Sequence, residues 1–201
     1  MREYKTMTSL KVLSLGLALA TASTWSMAKA VDYKIDPTHT ATVFSWNHFG
    51  FSTPSANFTD IQGTISVDNA KPEKSSVNVT IPLSSVNTNV KALDEEFQQE
   101  AWFNADKYPN ITFKSTKVET KDKKNFKITG DLTIKGVTKP VVLDAVLNKQ
   151  GAHPMTKAET VGFNATTSFD RSLFGIGNYV PNVGDKIVVN ITTEASVPAQ
   201  K

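Results

Sequence analysis

The stretch FKITGDLTIKGVTKPVVLDAVL, residues 126–147, decides the fold of this chain. Apolar residues from Phe126 to Ile134 alternate with polar ones, and a second alternation runs from Val141 to Leu147. A period of two places successive side chains on opposite faces of a β-strand, one in the core and one in water. The segment GVTKP, residues 136–140, is expected to reverse the chain between them. The stretch therefore predicts a hairpin-like pair of antiparallel strands.

The same alternation recurs along residues 31–201 and predicts about eight strands. The alternating runs are residues 42–48, 61–67, 77–81, 111–113, 126–134, 141–147, 161–169 and 187–191. Short runs separated by turn-forming residues are typical of an all-β barrel or sandwich. Within the opening stretch, Ile128, Leu132, Val141 and Leu143 are expected to face the interior.

One segment departs from this pattern and predicts a short helical insertion near residues 89–101. Its apolar residues recur at helical spacing, at Val90, Leu93, Phe97 and Ala101. Thr88 or Asn89 is expected to cap the helix. The helix is interpreted as a lid or plug that packs Leu93 and Phe97 against the barrel. The alternative is a helix that merely covers an open sheet edge, which requires no ligand.

Residues 1–30 have the pattern of a cleaved signal peptide. A positively charged start precedes an apolar run at residues 12–22, and the segment ends in Ala28-Lys29-Ala30, an A-x-A cleavage site. The apolar run is shorter than the ~20 residues that a membrane-spanning helix requires. A retained anchor is the alternative. We expect residues 31–201 to form one domain that is exported to the periplasm or secreted, with no stable insertion in a membrane.

Charge and cysteine content exclude several classes of function. The chain has 22 basic and 19 acidic residues, of which residues 1–30 contain four and one, so residues 31–201 contain 18 of each. Arg171 is the only arginine of residues 31–201, so a phosphate-binding surface for nucleic acid is not expected. The absence of cysteine excludes disulfides, thiol nucleophiles and cysteine metal sites. This composition also suits an oxidising compartment.

Aromatic residues dominate the predicted inner faces, and they leave two interpretations open. They could fill the core of a barrel, or they could line a tunnel for an apolar ligand, since a barrel of about eight strands can do either. Small residues such as Gly63, Gly130, Ala145 and Ala165 on the same faces would leave space. Composition alone does not decide between a filled core and a tunnel.

The titratable residues do not form a recognisable catalytic or metal-binding pattern. The three histidines of residues 31–201 lack metal-ligand spacing, and no cofactor is expected. The alternation places His48 on the inward face. Two interpretations of it are open: a strand-end histidine held by backbone hydrogen bonds, or a contact for a ligand head group. Asp94, Glu96, Arg171 and His48 are types that enzymes use, yet no nucleophile or phosphate-loop motif accompanies them.

Three motifs occur in order along the chain and resemble the YceI-like family of small secreted lipid-binding barrels. They are HFGFS at residues 48–52, KYPNITF at residues 107–113 and GDLTIKGVTKP at residues 130–140. The resemblance covers residues 33–195 almost completely. It implies a lipocalin-like antiparallel β-barrel with a helical insertion, a periplasmic or secreted location, and a long apolar ligand such as a polyisoprenoid, quinone-like or fatty-acid derivative. It implies no catalytic activity.

The resemblance also implies which residues bind the ligand. The candidates are Phe44, Trp46, His48, Phe49, Phe51, Asp94, Phe97, Phe113, Phe163 and Phe169. Aromatic side chains would contact the apolar tail, whereas His48 and Asp94 would lie where the head group emerges. Family members often have R-D-x-H-L in the helical segment, where this chain has LDEEF at residues 93–97. They commonly have N-R-x-D-F-G at a second position, where this chain has DRSLFG at residues 170–175. The loss of cationic residues favours a neutral or weakly polar head group over a diphosphate.

Two alternatives to a lipid carrier remain open at this stage. A non-catalytic interaction or adhesion module would have a filled core and an exposed apolar patch or edge strand. A hydrolase or isomerase would require His48, Asp94 and Arg171 to converge in one pocket. The sequence leaves the oligomeric state open, a homodimer included, and is compatible with transient contact with a membrane.

Overall fold

A computed structural model of the chain describes Met1 and residues 29–199, which contain eleven β-strands and one α-helix. The first six strands are short, namely β1 (Val31–Ile35), β2 (Ala41–Ser45), β3 (Ser55–Phe58), β4 (Gln62–Val67), β5 (Ser76–Pro82) and β6 (Val86–Asn87). The helix α1 (Lys91–Gln98) follows them. The last five strands are long, namely β7 (Asn110–Thr120), β8 (Asn125–Ile134), β9 (Val137–Ala152), β10 (Glu159–Asp170) and β11 (Lys186–Ser196). The predicted signal peptide lies almost entirely outside the described residues.

The strands form one closed antiparallel barrel of eight staves. Here a stave is one pass of the chain along the wall of the barrel. The first three staves are broken into β1 with β2, β3 with β4, and β5 with β6, while each of β7 to β11 is a stave by itself. Consecutive staves pair, and the barrel closes where the first stave pairs with β11, through β2 over five residue pairs and through β1 at Ile35 and Ala195. The predicted all-β barrel of about eight strands with a short helical insertion is therefore confirmed.

The opening stretch forms the β8–β9 hairpin, but its turn is shorter than predicted. Ile134 pairs with Val137, so only Lys135 and Gly136 lie in the turn, at φ values of 51° and 75°. Positive φ at both central residues is the geometry of the two-residue turn that suits the twist of a hairpin. Residues 137–140 belong to β9, and Pro140 pairs with Asp131. The prediction that residues 136–140 reverse the chain was therefore wrong in extent.

Alternation along the hairpin was a reliable guide to the inner face of the barrel. Ile128 and Val141 are buried, and Leu132 and Leu143 are half-buried. All four side chains face the interior, as predicted. Their polar neighbours on the outer face include the exposed pair Lys127 and Asp144, whose charged groups lie 2.6 Å apart. The period of two therefore separates an apolar interior from a wet outer surface.

The two ends of the barrel differ in structure. At the closed end, inward-facing Tyr33, Val161 and Ala195 have exposed fractions of 1%, 0% and 0%. The Tyr33 hydroxyl accepts a hydrogen bond of 3.0 Å from the Gln150 side-chain amide. The opposite end, called the mouth below, consists of α1 and the loops 46–54 and 171–185.

Candidate ligand-binding cavity

A cavity of about 640 Å³ occupies the barrel between its two ends. Inward-facing side chains of all eight staves line it, and most of them are aliphatic or aromatic. Its volume is within the range of small-molecule binding sites. Two of its few polar side chains, Thr40 and Thr193, are hydrogen-bonded to each other at 2.9 Å. The interior is therefore an apolar cavity and not the filled core of the interaction-module alternative.

Small residues create this space on one side of the barrel. Ala145 of β9 and Ala165 of β10 are directly paired, and both are buried in the cavity wall. The Phe113 ring lies against Gly130, where an added Cβ would overlap the ring. Glycine at position 130 thus allows an aromatic ring to lie flat against the wall without closing the cavity.

The cavity opens at the mouth. Its solvent-exposed lining residues are His48, Phe49, Ser52, Glu96 and Tyr179. These residues lie in α1 and in the two mouth loops, whereas the lining residues towards the closed end are buried or half-buried. An elongated ligand would therefore enter and leave past this mixed rim of aromatic and polar side chains.

Phe97 of α1 is the centre of an aromatic cluster that narrows the mouth. It is buried, and its ring centroid lies 5.4–6.4 Å from those of four other rings. The four are Phe44, Trp46, Trp102 and Phe103. Leu93 also lines the cavity from the same face of the helix. This position agrees with the predicted lid, because the apolar face of α1 covers the interior.

The predicted cap of the helix was wrong, because the N-cap residue is Val90. Instead, the Asp94 carboxylate in the first turn accepts a 2.6 Å hydrogen bond from the backbone N–H of Thr88. The Thr88 hydroxyl in turn accepts a 3.2 Å bond from the Val90 N–H. Asp94 therefore ties the helix to the preceding segment.

Arg171 organises the loop 171–185. Its guanidinium donates to the backbone carbonyls of Gly184 at 3.0 Å, Ile176 at 2.5 Å, Asn178 at 2.8 Å and Val183 at 2.9 Å. Burial lowers the pKa of Arg171, although the charge of Asp185 opposes this shift. Four of the five N–H donors of an arginine are thus used inside the protein. Its role in this structure is to hold the loop.

Glu96 supplies a carboxylate at the mouth. Its Oε1 accepts a 2.9 Å hydrogen bond from the indole N–H of Trp102, whose ring lies 6.3 Å from that of Tyr179. Trp102, Phe103 and Tyr179 are lining residues that were not among the predicted site residues. The aromatic composition pointed to Trp102, but no periodicity marks residues of an irregular loop.

Eight of the ten predicted ligand-binding residues lie in the cavity wall. They are Phe44, Trp46, His48, Phe49, Phe97, Phe113, Phe163 and Phe169. Phe51 lies outside this wall on a mouth loop and is 92% exposed. Asp94 also lies outside it, and its carboxylate binds Thr88. Contact of these residues with a ligand stays a prediction.

The groups required by the hydrolase or isomerase alternative have other partners. The backbone of His48 is bonded to Ser52, and its ring packs edge-on against Phe49 at 4.8 Å. Asp94 binds Thr88, and Arg171 binds loop carbonyls. Within residues 29–199, no hydrogen bond joins these three side chains. The geometry provides a binding cavity with a polar rim.

Helices in the described part of the chain are too short or too polar to cross a membrane.

Comparison with protein families and known sequences gives consistent matches. The model of the YceI-like domain family matches residues 33–195. A UPF0312 protein from Pseudomonas syringae pv. syringae (strain B728a) is 39% identical over 170 residues, which cover 84% of this chain and 86% of that protein. A UPF0312 protein from Photorhabdus laumondii subsp. laumondii is 39% identical over 144 residues, covering 71% and 73%.

Solved structures share the fold. The YCEI protein of Campylobacter jejuni is 28% identical with a TM-score of 0.67, covering 99% of this chain and 100% of that one. BcnA of Burkholderia cenocepacia has a TM-score of 0.72 at 22% identity, covering 80% and 99%. A polyisoprenoid binding domain from Saccharophagus degradans has a TM-score of 0.64 at 12% identity, covering 83% and 98%. The last two likenesses concern the fold alone.

Proposed function

This chain belongs to the YceI-like family, and we propose that it is a non-catalytic carrier of a long-chain amphiphile. The ligand would be a polyisoprenoid, a quinone-like lipid or a fatty-acid derivative held inside the barrel. The observation that carries the proposal is the apolar cavity of about 640 Å³. Its exposed lining residues all lie at the mouth, so it opens at that end. The polyisoprenoid binding domain with the same fold is consistent with this class of ligand.

The cavity volume gives an approximate ligand size. An apolar cavity of about 150 Å³ holds benzene, or about 25 Å³ per carbon atom. At that ratio, 640 Å³ corresponds to about 25 carbon atoms. Burying a methylene group contributes about 0.8 kcal/mol, so a chain of this size supplies ample binding free energy. A longer lipid would keep its tail in the cavity and extend its head-group end through the mouth.

We propose that the tail contacts the inner faces and that the head group lies at the mouth. The residues proposed to contact the tail are Phe44, Trp46, Phe97, Phe113, Phe163 and Phe169. His48 and Phe49 would contact the head group, and Asp94 and Phe51 would lie near it without forming the wall. Arg171 uses most of its donors on loop carbonyls, and Glu96 adds a negative charge. Both features favour a neutral or weakly polar head group.

Export to the periplasm is part of the proposal. Strand β1 begins at Val31, immediately after the predicted cleavage site at Ala28-Lys29-Ala30. Cleavage there would leave every strand of the barrel intact. The intact mass of the protein from the periplasm of its own host is expected to match residues 31–201. Recovery of the uncleaved chain in the cytoplasm alone would contradict this part of the proposal.

The carrier function is tested by native mass spectrometry of protein purified from its own host. We expect a bound lipid that detergent extraction releases. The double variant Ala145→Leu with Ala165→Leu adds six carbon atoms to the cavity, about 150 Å³ by the same ratio. It should lower the affinity at least tenfold or select a shorter chain, because six displaced methylene groups at about 0.8 kcal/mol each exceed the ~1.4 kcal/mol that corresponds to a factor of ten.

The matched control changes the outer face of the same two strands. Asp144 and Thr166 are directly paired and exposed beside the alanine pair. Asp144→Leu with Thr166→Leu should retain the lipid of the unmodified protein. A protein that is always free of lipid, or equal retention by the cavity-filling and control variants, would refute the carrier function.

A further inference from the structure

Two loops at the mouth lack acidic and basic residues. Residues 37–59 and 172–184 contain no Asp, Glu, Lys or Arg, although charged residues make up 20% of the chain. The parts of these stretches that lie at the mouth are residues 46–54 and 172–184, called the apolar platform below. Surface loops normally carry charges because water solvates them at little cost. The platform is therefore an unusual surface for a protein exposed only to water.

The two loops of the apolar platform are bound to each other. The Phe49 N–H donates to the Asn182 carbonyl at 2.8 Å, and the Gly184 N–H donates to the Asn47 carbonyl at 2.8 Å. An isolated β-bridge between His48 and Val183 lies between these bonds. The loops thus form one continuous surface with fixed relative positions.

This surface exposes large apolar side chains. Phe51 is 92% exposed, Tyr179 65%, Leu173 53% and Phe49 50%. Exposed apolar residues on the outer wall, such as Val43, Val142 and Val188, are single residues on separate strands. A cluster of exposed apolar side chains marks an interaction site, whereas scattered ones are ordinary.

The cavity opens beside the apolar platform, because four of its five exposed lining residues, His48, Phe49, Ser52 and Tyr179, belong to the platform, and the fifth, Glu96, belongs to α1. A long apolar ligand that left this opening into water would expose its methylene groups, which is unfavourable. A lipid bilayer pressed against the platform would receive the ligand without that exposure. The position of the opening thus favours a lipid surface over a protein partner as the occupant.

We infer that the protein docks on lipid bilayers through the apolar platform and exchanges its ligand there. This docking rests on the proposed function, because the bilayer is the donor or acceptor of the carried lipid. The platform itself has no lysine or arginine to attract anionic lipids, and one neighbouring lysine, Lys135, donates to the Gly175 carbonyl at 3.3 Å. On the other side of the mouth, α1 presents Asp94, Glu95 and Glu96 with Lys91 as its basic residue. Docking is therefore apolar in origin and favours zwitterionic surfaces, with α1 turned away from the bilayer.

Site-specific fluorescence tests the orientation. The chain has no cysteine, so a single introduced cysteine can carry an environment-sensitive fluorophore. Thr53→Cys places it on the platform, and Met155→Cys places it on an exposed loop at the closed end. With phosphatidylcholine vesicles, we expect a blue shift at position 53 and none at position 155. Equal shifts at the two positions, or none at either, would overturn the inference.

Vesicle sedimentation tests the apolar origin of docking. Phe51→Ser and Leu173→Ser should each lower vesicle binding about tenfold, as expected for removing one inserted apolar side chain. Met155→Ser, which removes an exposed apolar side chain at the closed end, should bind like the unmodified protein. Binding that requires anionic phosphatidylglycerol and disappears with salt would overturn the inference.

The outcomes separate docking from the carrier function. If native mass spectrometry shows a bound lipid but vesicles do not recruit the protein, docking is wrong and the carrier function stands. If vesicles recruit the protein through position 53 but no lipid is ever bound, the platform docks and the carrier function fails. Cross-linking of position 53 to a protein in host extracts, without vesicle binding, would assign the platform to a protein partner and overturn the inference.

Discussion

The closed end and the mouth of the barrel bury aromatic residues in different ways. At the closed end, Tyr33 is fully enclosed between staves and its hydroxyl is hydrogen-bonded to Gln150. At the mouth, neighbouring aromatic rings bury Phe97. One of these rings, that of Trp102, is itself only half-buried. Elements with few enclosing contacts open with a smaller free energy than the core does. We therefore expect the closed end to determine stability and the mouth to determine ligand exchange.

The largest expected effect is at the closed end. Tyr33→Ala should lower the free energy of unfolding by about 3–5 kcal/mol, as for other large aromatic side chains removed from a core. Urea denaturation followed by tryptophan fluorescence measures this change. Tyr33→Phe retains the ring and loses the bond from Gln150, so it should cost only about 1 kcal/mol. Equal destabilisation by the two variants would show that the hydroxyl, not the packing, matters.

At the mouth, Phe97→Ala should mainly change kinetics. Removing the ring at the centre of the aromatic cluster widens the opening, and we expect the dissociation rate of a bound fluorescent fatty alcohol to rise about 10–100-fold. Stopped-flow transfer to vesicles measures this rate. Glu95→Ala, on the exposed face of the same helix, is the matched control and should leave the rate unchanged. Unchanged release in Phe97→Ala would show that α1 is not a lid.

A smaller effect concerns the charge at the mouth. Glu96→Gln should raise the affinity for a long-chain carboxylate about fivefold, because an interaction of about 1 kcal/mol between nearby exposed charges is removed. The affinity for the corresponding alcohol should not change, and competition binding with both ligands measures the difference. An equal gain for the alcohol would show that Glu96 acts through shape or through Trp102.

The smallest effect concerns an exposed pair between β1 and β2, away from the mouth. The Asp36 carboxylate accepts hydrogen bonds from Thr38 and lies 2.8 Å from His39 Nδ1, and these contacts lower the pKa of Asp36 to about 2. The bond to Asp36 raises the pKa of His39. The contribution of Asp36 to stability is lost as the pH falls from about 3.8 towards 2, and that of His39 is lost as the pH rises above about 6.5.

Proton NMR titration of the His39 ring tests this pair. Asp36→Asn should return the pKa of His39 towards its ordinary value, because the neutral amide does not stabilise the imidazolium. Asp32→Asn removes a carboxylate from the preceding strand β1 without touching His39 and is the control. An unchanged His39 titration in Asp36→Asn would show that the pair does not persist in solution.

The sequence was most informative where side chains alternate. Each of the eight alternating runs overlaps a different one of the eight staves, since the period of two reports directly which side chains share a face, although the run 42–48 continues beyond β2 into the mouth loop. No alternation of side chains marks the positions where the first three staves are divided into two strands. The turn between β8 and β9 was predicted to extend to Pro140, because proline usually lies outside strands. In the structure Pro140 belongs to β9 and pairs with Asp131.

The same distinction applies to the candidate site. Phe44 and Phe113 could be assigned to the cavity wall because they lie on alternating strands, and Trp46 continues the alternation of β2 into the adjoining loop. Trp102 and Tyr179 could not, since their positions depend on long-range contacts such as the bond from Asn178 to the Ala101 carbonyl. Phe51 was predicted to bind the ligand because it belongs to the HFGFS motif. The motif did not indicate that its side chain lies outside the cavity wall.

Closure of the barrel by β1 and β11 has a consequence for the order of folding. Every other stave pairs with a neighbour in sequence, whereas this contact joins the two ends of the described chain. The barrel and its cavity are incomplete until residues 186–196 are present, so a chain that lacks them has two unpaired edges. A chain ending before Lys186 should aggregate, which size-exclusion chromatography would detect. Under the proposed carrier function, ligand loading would therefore follow completion of the barrel.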